Sequence, residues 1–427
     1  MHLRSIDIEN VRSIERFRWQ VDPEHAAGWH VLLGVNGSGK STVLKSVALA
    51  LVGPRESTAL REDWTRWVRW DQSDAGVRLR LRSEPSVDSI SGDFSTGLEL
   101  KQHSKHWELD GNGTDAELVM SGLYSDGPGC FSASFGPFRR FTGGNRDHEH
   151  LFKSTPRLAR HLTIFGEDVA LTESLEWLKQ LYMRRLDSGY RGKDLESAQF
   201  HSLLDQVIRF VNGSGLLPHG VEMRDVTLDH VQFVDATGSV LPVLDLSDGY
   251  RSVLSMAFEL LRQLADAYPD ESLFDSEDAS RVRVPGVVLI DEVDVHLHPS
   301  WQRRIGPWFR KHFPAMQFLV TTHSPFVCQA AEVGSIWRLP NPGEGGEAEP
   351  VTGALYDRLV YGDLMDAYST GFFGQESTRS AKSEDKHREL AQLNLKALRG
   401  SLSDEQKQRQ QELRKIFPSS PNPGLDS

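Results

Sequence analysis

The chain has 427 residues, with 60 acidic against 48 basic side chains and a formal net charge of −12. That length can bury one large α/β core with appendages, and the acidic balance argues against indiscriminate nucleic-acid binding while leaving room for a local basic face. Two cysteines are too few for a disulfide framework or a zinc site, and neither a bilayer-length apolar run nor a signal-peptide core is present, so a cytoplasmic location without membrane contact is expected.

A first strand carries Arg4 and Glu9. His30 to Leu33 reads as a buried strand and Ser41 to Leu51 as a helix, and between them runs Gly34-Val-Asn-Gly-Ser-Gly-Lys-Ser41. Gly34, Gly37 and Gly39 let the backbone turn tightly and aim N–H groups at phosphate oxygens. Lys40 would reach the outer phosphates and the Ser41 hydroxyl would ligate Mg²⁺, while Asn36, Ser38 and Thr42 complete the nucleotide-binding set. The helix N-terminus adds its dipole to that anion site.

Arg61-Glu-Asp-Trp-Thr-Arg-Trp-Val-Arg-Trp70 interleaves arginine with tryptophan. It reads as an amphipathic helix with Trp64 and Trp67 packed on a sheet, or as a nucleic-acid or partner surface. Val77 to Arg82, Gly97 to Lys101 and His106 to Leu109 alternate like strands. Residues 154–212 are helix-rich, with candidates at Leu171 to Leu186 and Leu195 to Val211; without sustained heptads they cannot form long coiled-coil arms. Val226 to Val234 and Val240 to Leu244 read as a hairpin around Ala236-Thr-Gly238.

The hairpin feeds Leu246-Ser-Asp-Gly-Tyr-Arg251 and an amphipathic helix, Tyr250 to Ala265. Ser247 and Gly249 therefore sit at a second helix N-terminus, where a serine can cap the helix and where an anion can bind. The chain has one complete phosphate loop, so this second anion site has no phosphate of its own. A two-fold dimer resolves the mismatch: Ser247, Asp248 and Gly249 would close over the phosphate held by another copy.

Residues 270–278 form an acidic loop read as solvated surface. Val284 to Ile290 is an apolar run suited to a strand covered on both faces, and it ends in Asp291, a Mg²⁺-binding acid, and Glu292, a water-activating acid. Met316 to Thr321 reads as another buried strand with His323 just past its end, placed to sense the terminal phosphate. After Pro340 the chain turns Gly/Glu/Pro-rich, then gives two helical stretches, Lys386 to Leu398 and Asp404 to Ile416. Leu390, Leu393, Leu395 and Leu398 suggest docking on the head or on a partner. Asp357, Asp363 and Asp366 are too scattered for a two-metal nuclease site.

In this order the segments resemble the ABC-type ATPase heads of the SMC, RecF and OLD group, and within it the compact AAA-family ATPases of bacterial anti-phage modules, of the Septu PtuA kind. Leu3-Arg-Ser-Ile-Asp-Ile-Glu-Asn-Val-Arg-Ser-Ile14 is similar to the group's first strand and turn, and Asp291 to Pro299 and Thr321-Thr-His-Ser-Pro325 to its acidic strand end and switch histidine. The resemblance implies a P-loop NTPase of ABC type, with a mixed central sheet, a flanking antiparallel sheet and a helical insertion. It implies lobes at 1–153 and 216–339 around an insertion at 154–215, and a tail at 340–427. It further implies Mg²⁺-dependent ATP hydrolysis with Glu292 and His323 catalytic, Ser41 and Asp291 on the metal, and Arg12 on the nucleotide. The partners it implies are a second copy of the chain in a dimer or higher oligomer and a separately encoded effector such as a nuclease. A RecF-like repair ATPase with DNA as its main ligand is the alternative, and a scaffold that scarcely hydrolyses ATP is another. Two positions depart from the pattern. The glutamine such heads carry after the first lobe is missing, its place falling in Ser132 to Phe141, where Arg139 and Arg140 would serve the nucleotide or face solvent. The aspartate of the loop after the acidic strand end aligns with His298.

Overall fold

The computed structural model describes residues 1–60, 63–88, 91–103, 106–111, 123–124, 130–139, 155–166, 172–191, 195–217, 219–269, 273–373, 381–398 and 402–417. Arg61, Arg140 and the start of the acidic loop, 270–272, lie outside them. In chain order come β1 (His2–Val11), β2 (Ile14–Gln20), β3 (Gly28–Leu33) and helix α1 (Lys40–Val52), then β4 (Asp74–Arg82), β5 (Asp93–His103), β6 (His106–Gly111) and β7 (Ser132–Phe135). Helices α2 (Glu173–Arg191) and α3 (Leu195–Gly213) lead to β8 (Glu222–Val226), β9 (Val231–Val234) and β10 (Val240–Pro242). There follow α4 (Asp248–Ala267), β11 (Gly286–Ile290), α5 (Pro299–His312), β12 (Met316–Thr321), β13 (Gly334–Arg338), β14 (Glu349–Pro350) and α6 (Gly353–Val360).

The central sheet has the order β14-β13-β3-β12-β11-β7, parallel throughout except for the antiparallel edge strand β14. Every residue of β3, β11 and β12 is buried, as a sheet covered on both faces requires. The two-residue period divides their side chains cleanly. Trp29, Val31, Val288, Ile290, Phe318 and Val320 join the core under α4 and α5. Leu32, Val287, Leu289 and Leu319 join the core shared with α1 and the antiparallel sheet β2-β1-β4-β5-β6. There α1 is buried on most sides, with Val43, Leu44, Val47 and Leu51 between the two sheets. Each such side chain contributes about 1.5–3 kcal/mol relative to an exposed one, which fixes the phosphate loop at both of its ends.

Two local expectations are corrected. Arg61 to Trp70 is not a helix: its described part holds one 3-10 turn, Trp64–Arg66, capped by Asp63. Its backbone is taken up elsewhere, Trp67 O accepting from Arg12 N at 2.8 Å and Arg69 N donating to Asn10 O at 2.9 Å, so i→i−4 bonding is unavailable. Trp67 is buried and Trp64 packs beside it, whereas Trp70 is 91% exposed. Val226 to Val234 is two strands, because the chain reverses where His230 N donates to Thr227 Oγ1 at 3.0 Å.

By compactness the chain forms two units, Met1–Phe373 and Gly374–Ser427. The second holds α7 (Ala381–Leu398) and α8 (Asp404–Ile416). Within it Leu390, Leu393 and Leu413 form a small core, and Arg409 makes paired hydrogen bonds to Glu389 at 2.9 and 3.0 Å. Among the described residues no helix is long and apolar enough to cross a membrane.

Candidate functional site

The phosphate loop leaves β3 and enters α1. Gly37 and Gly39 hold φ +82° and +96°, values that a side chain makes costly. At Gly34 the reason is close approach, since a Cβ there would lie 2.4 Å from Ser38 Oγ. Lys40 opens α1 and is buried, its Nζ donating to Gly34 O at 2.8 Å and Val35 O at 3.1 Å. Burial lowers its pKa, while Asp291, Glu292 and Asp294 pull the other way. Ser38 Oγ is buried without a hydrogen-bond partner. Asn36 and Gly37 are exposed, and Ser41 and Thr42 lie half-buried in the first turn of α1. An unpartnered hydroxyl and a buried ammonium at the N-terminus of α1 fit a polyphosphate.

The acid end of β11 faces this loop electrostatically. Asp291 is buried and accepts from Thr321 Oγ1 at 2.6 Å, and the same hydroxyl accepts from Glu292 N at 2.7 Å. Glu292 has φ +47°, a strained value for a residue with a Cβ. Partial burial raises its carboxyl pKa, and the Asp291 and Asp294 charges add to the effect against Lys40 and Arg139. Asp294 Oδ1 accepts from Thr322 Oγ1 at 2.6 Å and His323 N at 3.3 Å, so it positions the histidine's backbone. Desolvation and the Lys40 charge lower the His323 pKa, favouring a neutral ring. Glu292 and His323 were expected at this site; Thr321, Thr322 and Asp294 stood in the quoted segments, but only the structure shows their hydrogen bonds.

Arg139 neither faces solvent nor points to the loop. It is buried, and its two Nη atoms donate to the carbonyls of Gly136, Asp291, Glu292, Val293 and Val295 at 2.9–3.4 Å. Where a glutamine was expected, an arginine braces the main chain after β11.

The expected second anion site falls at the start of α4. Ser247 occupies the N-cap position with extended backbone, yet its hydroxyl makes no cap hydrogen bond, contrary to the capping expected for a serine there. Ser247 and Asp248 are exposed, Asp248 pairs with Arg251, and a Cβ on Gly249 would come 3.7 Å from His296 O. The helix start therefore lies beside the loop that follows Glu292. His298 caps α5, its Nδ1 accepting from Ser300 N at 3.3 Å, which gives that residue a local role.

A cavity of about 400 Å³ opens beside the phosphate loop, lined by Arg12, Ser13, Gly37, Ser38, Arg69, Trp70 and residues 339–346. Arg12 has φ +53° and its guanidinium lies 4.0 Å from the Trp67 ring centroid, a stacked cation held by an aromatic face. The Arg-Trp segment thus supplies one wall of this cavity.

Residues 30–329 match the family described as "AAA domain, putative AbiEii toxin, Type IV TA system". The chain is 34% identical over 381 residues to the retron Vc95 probable ATPase of Vibrio cholerae serotype O1 biovar El Tor, covering 77% of this chain and 71% of that protein. It is 34% identical over 182 residues to the retron Ec83 probable ATPase of Escherichia coli, covering 43% and 30%. To the Septu protein PtuA of Bacillus mycoides (strain KBAB4) it is 26% identical over 328 residues, covering 76% and 38%. The chain thus spans only about a third of the length of these last two. Among solved structures, the crystal structure of an SmcHead bound to the C-winged helix domain of ScpA superposes with a TM-score of 0.51 at 14% identity, covering 82% of this chain and 98% of that one. That likeness concerns the fold. The chain belongs to the AAA-domain family whose description matches it from residue 30 to residue 329, and it is built on the fold of an SMC-type ATPase head.

Proposed function

We propose that this protein is a cytoplasmic ATPase that works as a switch between two copies of itself. One observation carries the reading: the buried Lys40 ammonium lies in the field of Asp291, Glu292 and Asp294 while hydrogen-bonding only backbone carbonyls among the described residues. A buried cation in that state favours an incoming anion. ATP fits, its phosphates taking N–H groups at the start of α1 and the Ser38 hydroxyl, and its nucleoside the cavity beside Arg12.

Ser41 and Asp291 would hold Mg²⁺, which when bound draws charge from the outer phosphate oxygens. Glu292 is the general base. Its carboxylate takes a proton from water as that water attacks the γ-phosphorus and the bond to the bridging oxygen breaks. The raised pKa of Glu292 makes it a stronger base. Neutral His323 would donate a hydrogen bond to the γ-phosphate. Ser247, Asp248 and Gly249 of one copy would close over the γ-phosphate held by the other, a role supported by a Ser247 hydroxyl that makes no cap hydrogen bond to its own helix.

The names of the relatives, retron ATPases and a Septu protein, support a setting in bacterial anti-phage defence. There the ATP-closed dimer would restrain or release a separately encoded effector such as a nuclease. Steady-state hydrolysis tests the catalytic assignment. Glu292→Gln is expected to slow turnover by roughly 10²–10⁴ with ATP binding retained, the usual worth of a positioned base. An unchanged rate would remove Glu292 from the mechanism.

A further inference from the structure

We infer that Arg139 is a positioning residue for hydrolysis, acting on the main chain of Glu292 rather than on the nucleotide. The inference rests on Glu292 being the general base.

Glu292 stands in the left-handed region at φ +47°, where a residue with a Cβ remains only if its surroundings hold it. Its peptide groups are gripped from both sides. Thr321 Oγ1 takes the Glu292 N–H at 2.7 Å, and Arg139 Nη2 donates to the Glu292 carbonyl at 3.1 Å. The same guanidinium reaches Asp291 O at 3.0 Å, Val293 O at 3.3 Å and Val295 O at 3.4 Å. One planar fork thus gathers the carbonyls through which the chain turns away from β11.

The fork itself is anchored. Arg139 Nη1 also donates to Gly136 O at 2.9 Å, and a Cβ on Gly136 would meet Thr163 O at 2.1 Å. Thr163 Oγ1 in turn donates to Ser134 O at 2.9 Å and accepts from Gly136 N at 3.3 Å. The end of β7 is therefore locked to a neighbouring segment, and Arg139 transmits that position to the turn. Asp294, Asp291 and Glu292 favour the charged form against burial, which lowers its pKa to about 10, so the guanidinium stays protonated at neutral pH. Arg139 Nε is buried without a partner. The guanidinium is thus aimed to serve the turn through its two Nη atoms, with its third donor position left unsatisfied. Lysine carries the charge but cannot reproduce a planar fork.

The test is a cycle on the full chain with Arg139→Lys, Glu292→Gln and the double variant, reading kcat, KM and the affinity for a non-hydrolysable ATP analogue. Arg139→Lys is expected to lower kcat ten- to a hundred-fold with KM and analogue affinity within threefold. In the Glu292→Gln background it should remove no further rate, because a residue acting through the base has nothing left to act on. Arg139→Gln, which also removes the buried charge, should show the same loss confined to kcat if lysine cannot be seated. Loss of analogue affinity, an unchanged kcat, an additive loss in the double variant, or a chain that folds with neither replacement would each overturn the inference. A Glu292→Gln chain with wild-type turnover would instead overturn the base assignment beneath it.

Discussion

The phosphate loop and the turn after β11 form the two sides of the proposed site but are held in opposite ways. The loop is local: Lys40 closes it on carbonyls five and six residues back, and Gly37 and Gly39 take its positive φ values. The turn is non-local. Glu292 and His296 carry the positive φ values themselves, and the supports come from Arg139, Thr321 and Thr322, far along the chain. A loop of the first kind is ready as soon as β3 and α1 pack. A turn of the second kind is correct only when three strands have assembled, which would tie the proposed general base to the state of the whole sheet.

The largest effect that would break this contrast is at the loop. Gly39→Ala places a Cβ at φ +96° and 3.1 Å from Ile14 Cγ1. It should lower ATP affinity at least tenfold in a titration, with a loss of fold stability of about 1–2 kcal/mol. Retained affinity would show that the loop tolerates strain as the turn does.

The contrast also explains what could be read from the residues. The phosphate loop and the strand Met316–Thr321 were legible because a glycine pattern and an unbroken apolar run are local signals. Arg139 was legible only as a residue near the missing glutamine, since nothing in Gly-Pro-Phe-Arg shows that its side chain turns inward to five carbonyls. The supposed helix at Arg61 to Trp70 failed for a related reason. Tryptophans at positions 64, 67 and 70 have helical spacing, but the Trp67 carbonyl and the Arg69 N–H are claimed by the β1–β2 turn. The reversal between β8 and β9 has no glycine or proline to announce it and depends on the Thr227 hydroxyl. The likeness of fold to an SMC-type head was readable from five short segments because their order, more than any one of them, is restrictive.

A smaller effect sharpens the comparison by separating the core from the site. His30 and His161 are fully buried, and burial lowers their pKa values to about 4 and about 3. His161 contacts both Ser132 and Ser134 of β7. A histidine that is neutral when folded supports stability above its unfolded pKa near 6.5 and loses that support as pH falls toward the folded value. Thermal melts should therefore weaken progressively from about pH 6.5 to pH 4, by on the order of a few kcal/mol for the pair. His161→Asn should blunt that slope in a pH series. An unaltered slope would place the acid sensitivity elsewhere. The least effect is expected at Trp70: Trp70→Ala should shift stability by less than about 0.5 kcal/mol, because the ring is 91% exposed, and a larger shift in the melt would show that the ring is packed.

The central claim is a nucleotide site completed by a second copy, and light scattering of Glu292→Gln with and without Mg²⁺-ATP tests it most directly. The account predicts that Mg²⁺-ATP doubles the mass of the assembled species, and that adding Ser247→Arg abolishes the doubling while ATP still binds. A mass that ignores ATP, or one that still doubles with arginine at position 247, would contradict it.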